Sequence, residues 1–190
     1  MRFLLKSLAV LIIGTALGLA LTWATVMRGA MPGGIADGPW RTSLSIGSAG
    51  GDAATRARVA LHGLLALSRA ETIYYTAETD DAGRPLSGAC SYRIAGRDPD
   101  TRWWSITAYG PDDYLIANPA RRYSVSKNSV ARDAGGAFSA DVSLQPHPAN
   151  WIAVGSGAFT LTLRLYNPGA SVAADPAHAA LPKIERVSCK

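Results

Sequence analysis

Residues Leu8 to Met27 run for twenty positions without one charged side chain, with Arg2 and Lys6 just before them and Arg28 just after. A helix needs about 20 such residues to cross the hydrocarbon core of a bilayer. The run has no polar stripe, which argues against a helix buried on one side of a globular core. It reads as a single transmembrane anchor, residues 8–27. Basic residues on the short leading side hold residues 1–7 in the cytoplasm and send 28–190 across the membrane. The expected location is a bacterial inner membrane, single-pass, with the C-terminal part in the periplasm. The alternative is a cleavable signal peptide, whose apolar core spans about 7–15 residues and ends in a small-x-small site. Val26-Met27-Arg28 is a poor cleavage context, but small residues near Ala24 and Ala30 leave processing open.

Beyond the anchor about 160 residues remain, enough for one domain with a proper core. Two of the 19 basic residues, Arg2 and Lys6, precede the run, so the rest carries 17 against 14 acidic residues. Only Arg121-Arg122 places two basic residues together. A nucleic-acid partner is not expected, because its electrostatic footprint is missing. The chain has two cysteines, Cys90 and Cys189. In an oxidising compartment these read as a disulfide closing a loop of about 100 residues, worth on the order of 4 kcal/mol in the chain-entropy model.

Arg28 to Gly51 holds seven glycines and two prolines. Residues 28–37 read as a Gly-rich stalk, and 38–190 as the domain, with Trp40, Leu44 and Ile46 packing on it. Asp52 to Ser68 reads as an amphipathic helix: Asp52 supplies the cap, and Ala57, Leu61, Leu64, Leu65 and Ser68 share a face. His62 reads as a partly exposed helical residue.

After Ala70 the hydrophobic period changes to two. Cys90, Tyr92 and Ile94, then Trp104, Ile106 and Ala108, then Phe138, Ala140, Val142 and Leu144, then Phe159, Leu161, Leu163 and Leu165 alternate with polar neighbours. Such alternation marks half-buried strands. With 73–76, 123–126 and 184–188 this predicts about seven short strands. Turn residues separate them, including Gly110-Pro111-Asp112-Asp113 and Asn167-Pro168-Gly169. The expected fold is mainly β, an antiparallel β-sandwich of jelly-roll type with one N-terminal amphipathic helix, preceded by the transmembrane helix.

Catalytic signatures are sparse. His62, His147 and His178 lack the spacing of metal ligands, and no metal or cofactor is expected. Gly155-Ser156-Gly157 lacks the spacing of a nucleophile elbow. The pairs Asp80-Asp81, Asp98/Asp100 and Asp112-Asp113 lie in turns, where Asp serves the backbone. The polar strand faces are more suggestive. Trp103, Ser105, Thr107 and Tyr109 point one way from their strand, and Thr160, Thr162, Arg164 and Tyr166 from another. Asn118, Arg122, Tyr123, Asn150 and Trp151 stand in nearby loops. Rings beside Arg, Asn and hydroxyl groups suit sugars or anionic headgroups. Thr, Tyr and Trp are also common on the solvated face of an antiparallel sheet.

Trp104-Ser105-Ile106-Thr107-Ala108-Tyr109, Asn118-Pro119-Ala120-Arg121-Arg122-Tyr123-Ser124, Asn150-Trp151 and Arg164-Leu165-Tyr166, in this order, resemble the DUF1214 domain. Upstream, Arg56-Ala57, Gly63-Leu64 through Leu67, Tyr74-Tyr75 and Asp81-x-Gly83-x-x-Leu86-x-Gly88 fit the same pattern, so that the likeness covers about 38–190. It implies an exported or membrane-tethered β-rich domain without an established reaction. The family often occurs beside DUF1254, which here would be a separate protein. The sequence departs from the pattern in lacking a tryptophan between Asn167 and Pro182, and a proline after Asn150-Trp151.

Two functional expectations follow. The first is a non-catalytic module binding an envelope glycan, lipid headgroup or protein through Trp103, Ser105, Thr107, Tyr109, Asn118, Arg122, Asn150, Trp151, Arg164 and Tyr166. The second is an envelope-glycan hydrolase or lyase using Asp112 or Asp113 with Tyr109 and Arg122. A purely structural interaction domain would have no concave site.

Overall fold

The apolar run forms one helix, α1 (Arg2–Arg28), in the computed structural model, which describes residues 2–28, 34–62 and 67–189. Among the described residues none covers its middle: Leu8, Leu11, Ile13 and Leu19 are all exposed. The helix is long and apolar enough to span a membrane.

Two short strands follow, β1 (Gly34–Asp37) and β2 (Trp40–Ser43). The stretch expected as a stalk thus ends in a strand, while residues 29–33 lie outside those described. Gly38 makes the turn between the strands at φ +56°, a conformation that glycine adopts without a Cβ clash. Trp40 is buried, and its indole N–H donates to the Pro182 carbonyl at 2.7 Å.

Helix α2 (Ala53–Leu61) begins where expected, with Asp52 Oδ1 accepting from the Thr55 N–H at 2.7 Å. It is shorter than the expected 52–68. His62 caps its end, Ser68 lies outside it, and residues 63–66, including Leu64 and Leu65, are not described. Of the described members of the expected apolar face, Ala57 is half-buried and Leu61 is 62% exposed, while Thr55 is the buried residue of the helix. Its packing partner explains this. Helix α2 adjoins the end of α1, where Arg58 reaches the Thr25 and Val26 carbonyls.

Strands β3 (Thr72–Ala77), β4 (Cys90–Gly96), β5 (Thr101–Tyr109), β6 (Ser124–Ser126), β7 (Phe138–Ser143), β8 (Trp151–Ala153), β9 (Thr160–Pro168) and β10 (Lys183–Cys189) complete the β structure. A short helix, α3 (Ala170–Ala174), and a 3-10 turn at Pro176–His178 lie between the last two. The strands form a six-stranded sheet, β1-β2-β3-β9-β5-β6, and a four-stranded sheet, β10-β4-β7-β8. All neighbours are antiparallel except β7 and β8. The expected antiparallel pattern is interrupted there, because residues 144–150 carry the chain back so that Trp151 pairs with Asp141 in parallel. That connection is short for parallel neighbours, which usually need about a dozen residues or more.

The two sheets share one core. Tyr75, Trp104, Ile106, Leu161, Leu163 and Leu165 come from the larger sheet, and Tyr92, Ile94, Ala140, Val142, Ile152 and Ile184 from the smaller. Trp104 stacks on Phe138 with ring centroids 4.7 Å apart, joining the sheets. Cys90 and Cys189 form a disulfide between paired residues of β4 and β10.

Candidate functional site

The alternation that sends Leu161, Leu163 and Leu165 inward turns Thr160, Thr162 and Arg164 outward on β9. Register extends that face sideways: Arg164 pairs with Tyr74 of β3 and Ser105 of β5, Thr162 with Thr76 and Thr107, and Thr160 with Tyr109. This outer face of the six-stranded sheet is the floor of a cleft of about 890 Å³. The last residues of α2, Val59 to His62, and the turn at Asp112–Leu115 also line it, with Met27 of α1, Arg41 and Arg58. The volume falls within the roughly 300–1,000 Å³ typical of small-molecule sites.

Arg164 dominates the floor. Its Nη2 donates to the Tyr109 hydroxyl at 2.8 Å, and its guanidinium carbon lies 5.3 Å from the centre of the Tyr109 ring. Among the described residues no carboxylate forms an ion pair with it. A half-buried guanidinium held by neutral partners keeps donors for an anionic or hydroxyl-rich ligand.

The wall opposite α2 is a tight turn. The Gly110 N–H donates to the Tyr114 carbonyl, Asp112 Oδ1 accepts from the Tyr114 N–H at 3.2 Å, and Asp113 adopts φ +63°. Asp113 Oδ2 lies 2.7 Å from His62 Nδ1, a distance at which the imidazole N–H donates to the carboxylate. This contact ties the turn to α2 across the cleft. Leu61, Tyr114 and Leu115 line the same cleft with much of their apolar surface in solvent.

Not all the expected binding residues meet here. Tyr109, Arg164, Asp112 and Asp113 line the cleft. Trp103 and Tyr166 pack ring on ring, 5.2 Å apart, further along the same face. Ser105 and Thr107 are buried between the two groups. Asn118, Arg122, Asn150 and Trp151 gather instead around β8. Asn118 Oδ1 accepts from the Arg122 N–H, and the Arg122 carbonyl accepts from the Ala153 N–H, each at 2.9 Å. Asn150 exchanges hydrogen bonds with both backbone groups of Ala131 and donates to the Ser139 carbonyl, all at 2.8 Å. Trp151 is buried, and its indole N–H donates to the Ser143 carbonyl. The Asn118, Asn150 and Trp151 side chains thus serve the local backbone, whereas Arg122 contributes its backbone groups there and is exposed.

Sequence reasoning passed over Arg41, Arg58, Leu61, His62, Tyr114 and Leu115 as cleft residues. Local pattern contains no signal for them, since the cleft is assembled from segments far apart in the chain. Among the described residues no group of three or more His, Cys, Asp or Glu side chains is arranged to hold a metal ion.

A family model described as "Protein of unknown function (DUF1214)" matches residues 71–170. Among solved structures, the VPA0106 protein from Vibrio parahaemolyticus is similar with a TM-score of 0.63 and 18% identity, covering 96% of this chain and 46% of that one. An uncharacterized protein from Burkholderia cenocepacia matches with a TM-score of 0.48 and 17% identity, covering 90% of this chain and 39% of that one. The chain therefore spans less than half the length of either structure. The likeness to the Vibrio protein shows a common fold. No curated protein matches the sequence.

Proposed function

The chain belongs to the DUF1214 family, and we propose that it is a membrane-anchored, periplasm-facing module that binds an envelope component without turning it over. The observation that carries this reading is the 890 Å³ cleft with Arg164 on its floor. Arg164 has an aromatic hydroxyl to orient it and, among the described residues, no acidic side chain in an ion pair with it. The ligand this suits is a small molecule with an anionic group and some apolar surface, because the cleft adds Thr160 and Thr162 on one side and Leu61, Tyr114 and Leu115 on another. Anchoring through α1 is supported by its length and its uncovered apolar surface.

The glycan-cleaving reading has one observation in its favour: Tyr109, Asp112 and Asp113 line the cleft. Against it, Asp113 is engaged by His62 and Asp112 by the turn backbone, and Arg122 is not among the residues that line the cleft.

The test is calorimetric titration of the full-length protein in uncharged detergent with glycerol 3-phosphate and with short uronic-acid oligosaccharides. Binding of either that weakens at least about tenfold, or about 1.4 kcal/mol, in Arg164→Ala supports the module. Binding unchanged by Arg164→Ala and by a cleft-filling Thr160→Trp, or no binding of either ligand, counts against it. Turnover that disappears in Asp112→Asn/Asp113→Asn would replace it with the hydrolytic reading.

A further inference from the structure

The cleft opens where the membrane helix ends. Met27, one residue before the end of α1, lines it, and α2 forms a wall fastened to the last turn of that helix. Arg58 donates from Nε to the Val26 carbonyl at 2.7 Å and from Nη2 to the Thr25 carbonyl at 3.0 Å. These carbonyls belong to the terminal turn, where no intrahelical partner exists and the helix dipole favours a cation. The wall of the cleft is thus fixed at the level where a spanning helix leaves the hydrocarbon.

Three further residues bear on that level. Leu61 is 62% exposed, Tyr114 75% and Leu115 47%, and all three line the cleft containing Met27. Large apolar side chains grouped in solvent mark a contact surface, and tyrosine favours the headgroup layer, where its ring is dry and its hydroxyl wet. The cleft's charges balance, with Arg41, Arg58 and Arg164 against Glu78, Asp112 and Asp113. Selection therefore depends on placement. His62 engages Asp113, whereas Arg164 keeps donors available beside Tyr109.

We propose that the rim formed by Leu61, Tyr114 and Leu115 rests in the bilayer surface, and that the cleft takes the headgroup of an anionic phospholipid directly from the leaflet. Arg164 holds the phosphate, which the planar guanidinium can meet with two parallel hydrogen bonds. The inference rests on the anchored binding module proposed above and names its ligand and its source. The rim explains why exposed leucines stand beside a polar floor: acyl chains meet the rim while the headgroup enters.

The test uses the full chain in nanodiscs of phosphatidylcholine alone, or mixed in equal parts with phosphatidylglycerol. Leu61→Cys, Leu115→Cys and, on the exposed outer side of the four-stranded sheet, Ser139→Cys each carry an environment-sensitive fluorophore, attached without reducing the native disulfide. The expected result is blue-shifted emission at the two rim sites, quenched several-fold by brominated acyl chains, with Ser139→Cys unaffected. Native mass spectrometry should find phosphatidylglycerol retained on the protein, phosphatidylcholine not, and the retained lipid lost in Arg164→Ala. Rim emission indistinguishable from that of Ser139→Cys overturns the proposal, as does equal retention of the two lipids. If the rim stays in water while glycerol 3-phosphate still binds through Arg164, the bilayer source fails and the binding module stands. If neither lipid nor glycerol 3-phosphate binds, both fail.

Discussion

His62 and Asp113, 51 residues apart in sequence, meet at 2.7 Å and join the end of α2 to the turn after β5. Both side chains remain well exposed, at 44% and 38%. Their contact is therefore worth less than about 1 kcal/mol of global stability. Asp113→Ala should lower Tm by no more than about 2–4 °C. Its larger effect should be local: backbone hydrogen exchange at 110–115 and in α2 should accelerate, because the cleft walls lose their tie.

Arg164→Lys separates charge from geometry. Lysine keeps the positive charge but lacks the planar fork. An anionic ligand should bind about tenfold more weakly to Arg164→Lys, and weaker still to Arg164→Ala, as read by titration calorimetry. Tyr109→Phe removes the hydroxyl that accepts from Nη2 and should cost a smaller factor.

Asp80 anchors the smaller sheet's connection. Its carboxylate is buried, receives Arg84 Nε at 2.9 Å and stands 3.2 Å from Arg186 Nε. Burial pushes its pKa up, but the Arg84 backbone and side-chain donors and the two guanidinium charges outweigh that, leaving it below the ordinary carboxylate value. A lowered folded pKa gives stabilisation that is full above the unfolded value, near pH 4, and lost as pH falls through the folded one. Asp80→Asn should lower Tm at neutral pH and flatten its acid dependence below about pH 4.

Gly88 donates to the Gly157 carbonyl at 2.8 Å, and a Cβ at this position would lie 1.6 Å from the Gly155 carbonyl oxygen. Backbone, not a flexible side chain, occupies that space. Gly88→Ala should destabilise the domain by about 1–3 kcal/mol in denaturant titration.

Replacing both Cys90 and Cys189 with serine removes the link between β4 and β10 across 99 residues of sequence. In the chain-entropy model this costs about 4–5 kcal/mol. Chemical unfolding should show it, with exchange protection lost first along β10.

The strand pattern was readable because alternation reports which face of each strand is buried. Leu161, Leu163 and Leu165 needed no tertiary information to be assigned inward. Strands β1 and β2 lie in a glycine-rich segment whose strand character comes from pairing with each other and, through β2, with β3. The short β8 follows a proline-rich connection, and its three residues, all buried, show no alternation. Part of the family-like pattern proves structural: Asp81 Oδ2 accepts from the Ile184 N–H, Gly83 turns at φ +76°, and Leu86 is buried. Two floor residues of the cleft, Tyr109 and Arg164, were visible as outward positions on strands. Its walls were not, because nothing in the sequence around His62 says that α2 crosses a polar sheet face beside the end of α1.

The pairing of β4 with β10 also sets a timetable. Synthesis at about 5–20 residues per second delivers Cys90 on the order of 5–20 s before its partner, 99 residues later. Until then β4 offers one open edge and one unpaired thiol to whatever oxidant or neighbour it meets. The smaller sheet is therefore open along β4 until β10 pairs with it, so that closing the disulfide and closing that edge become the same event.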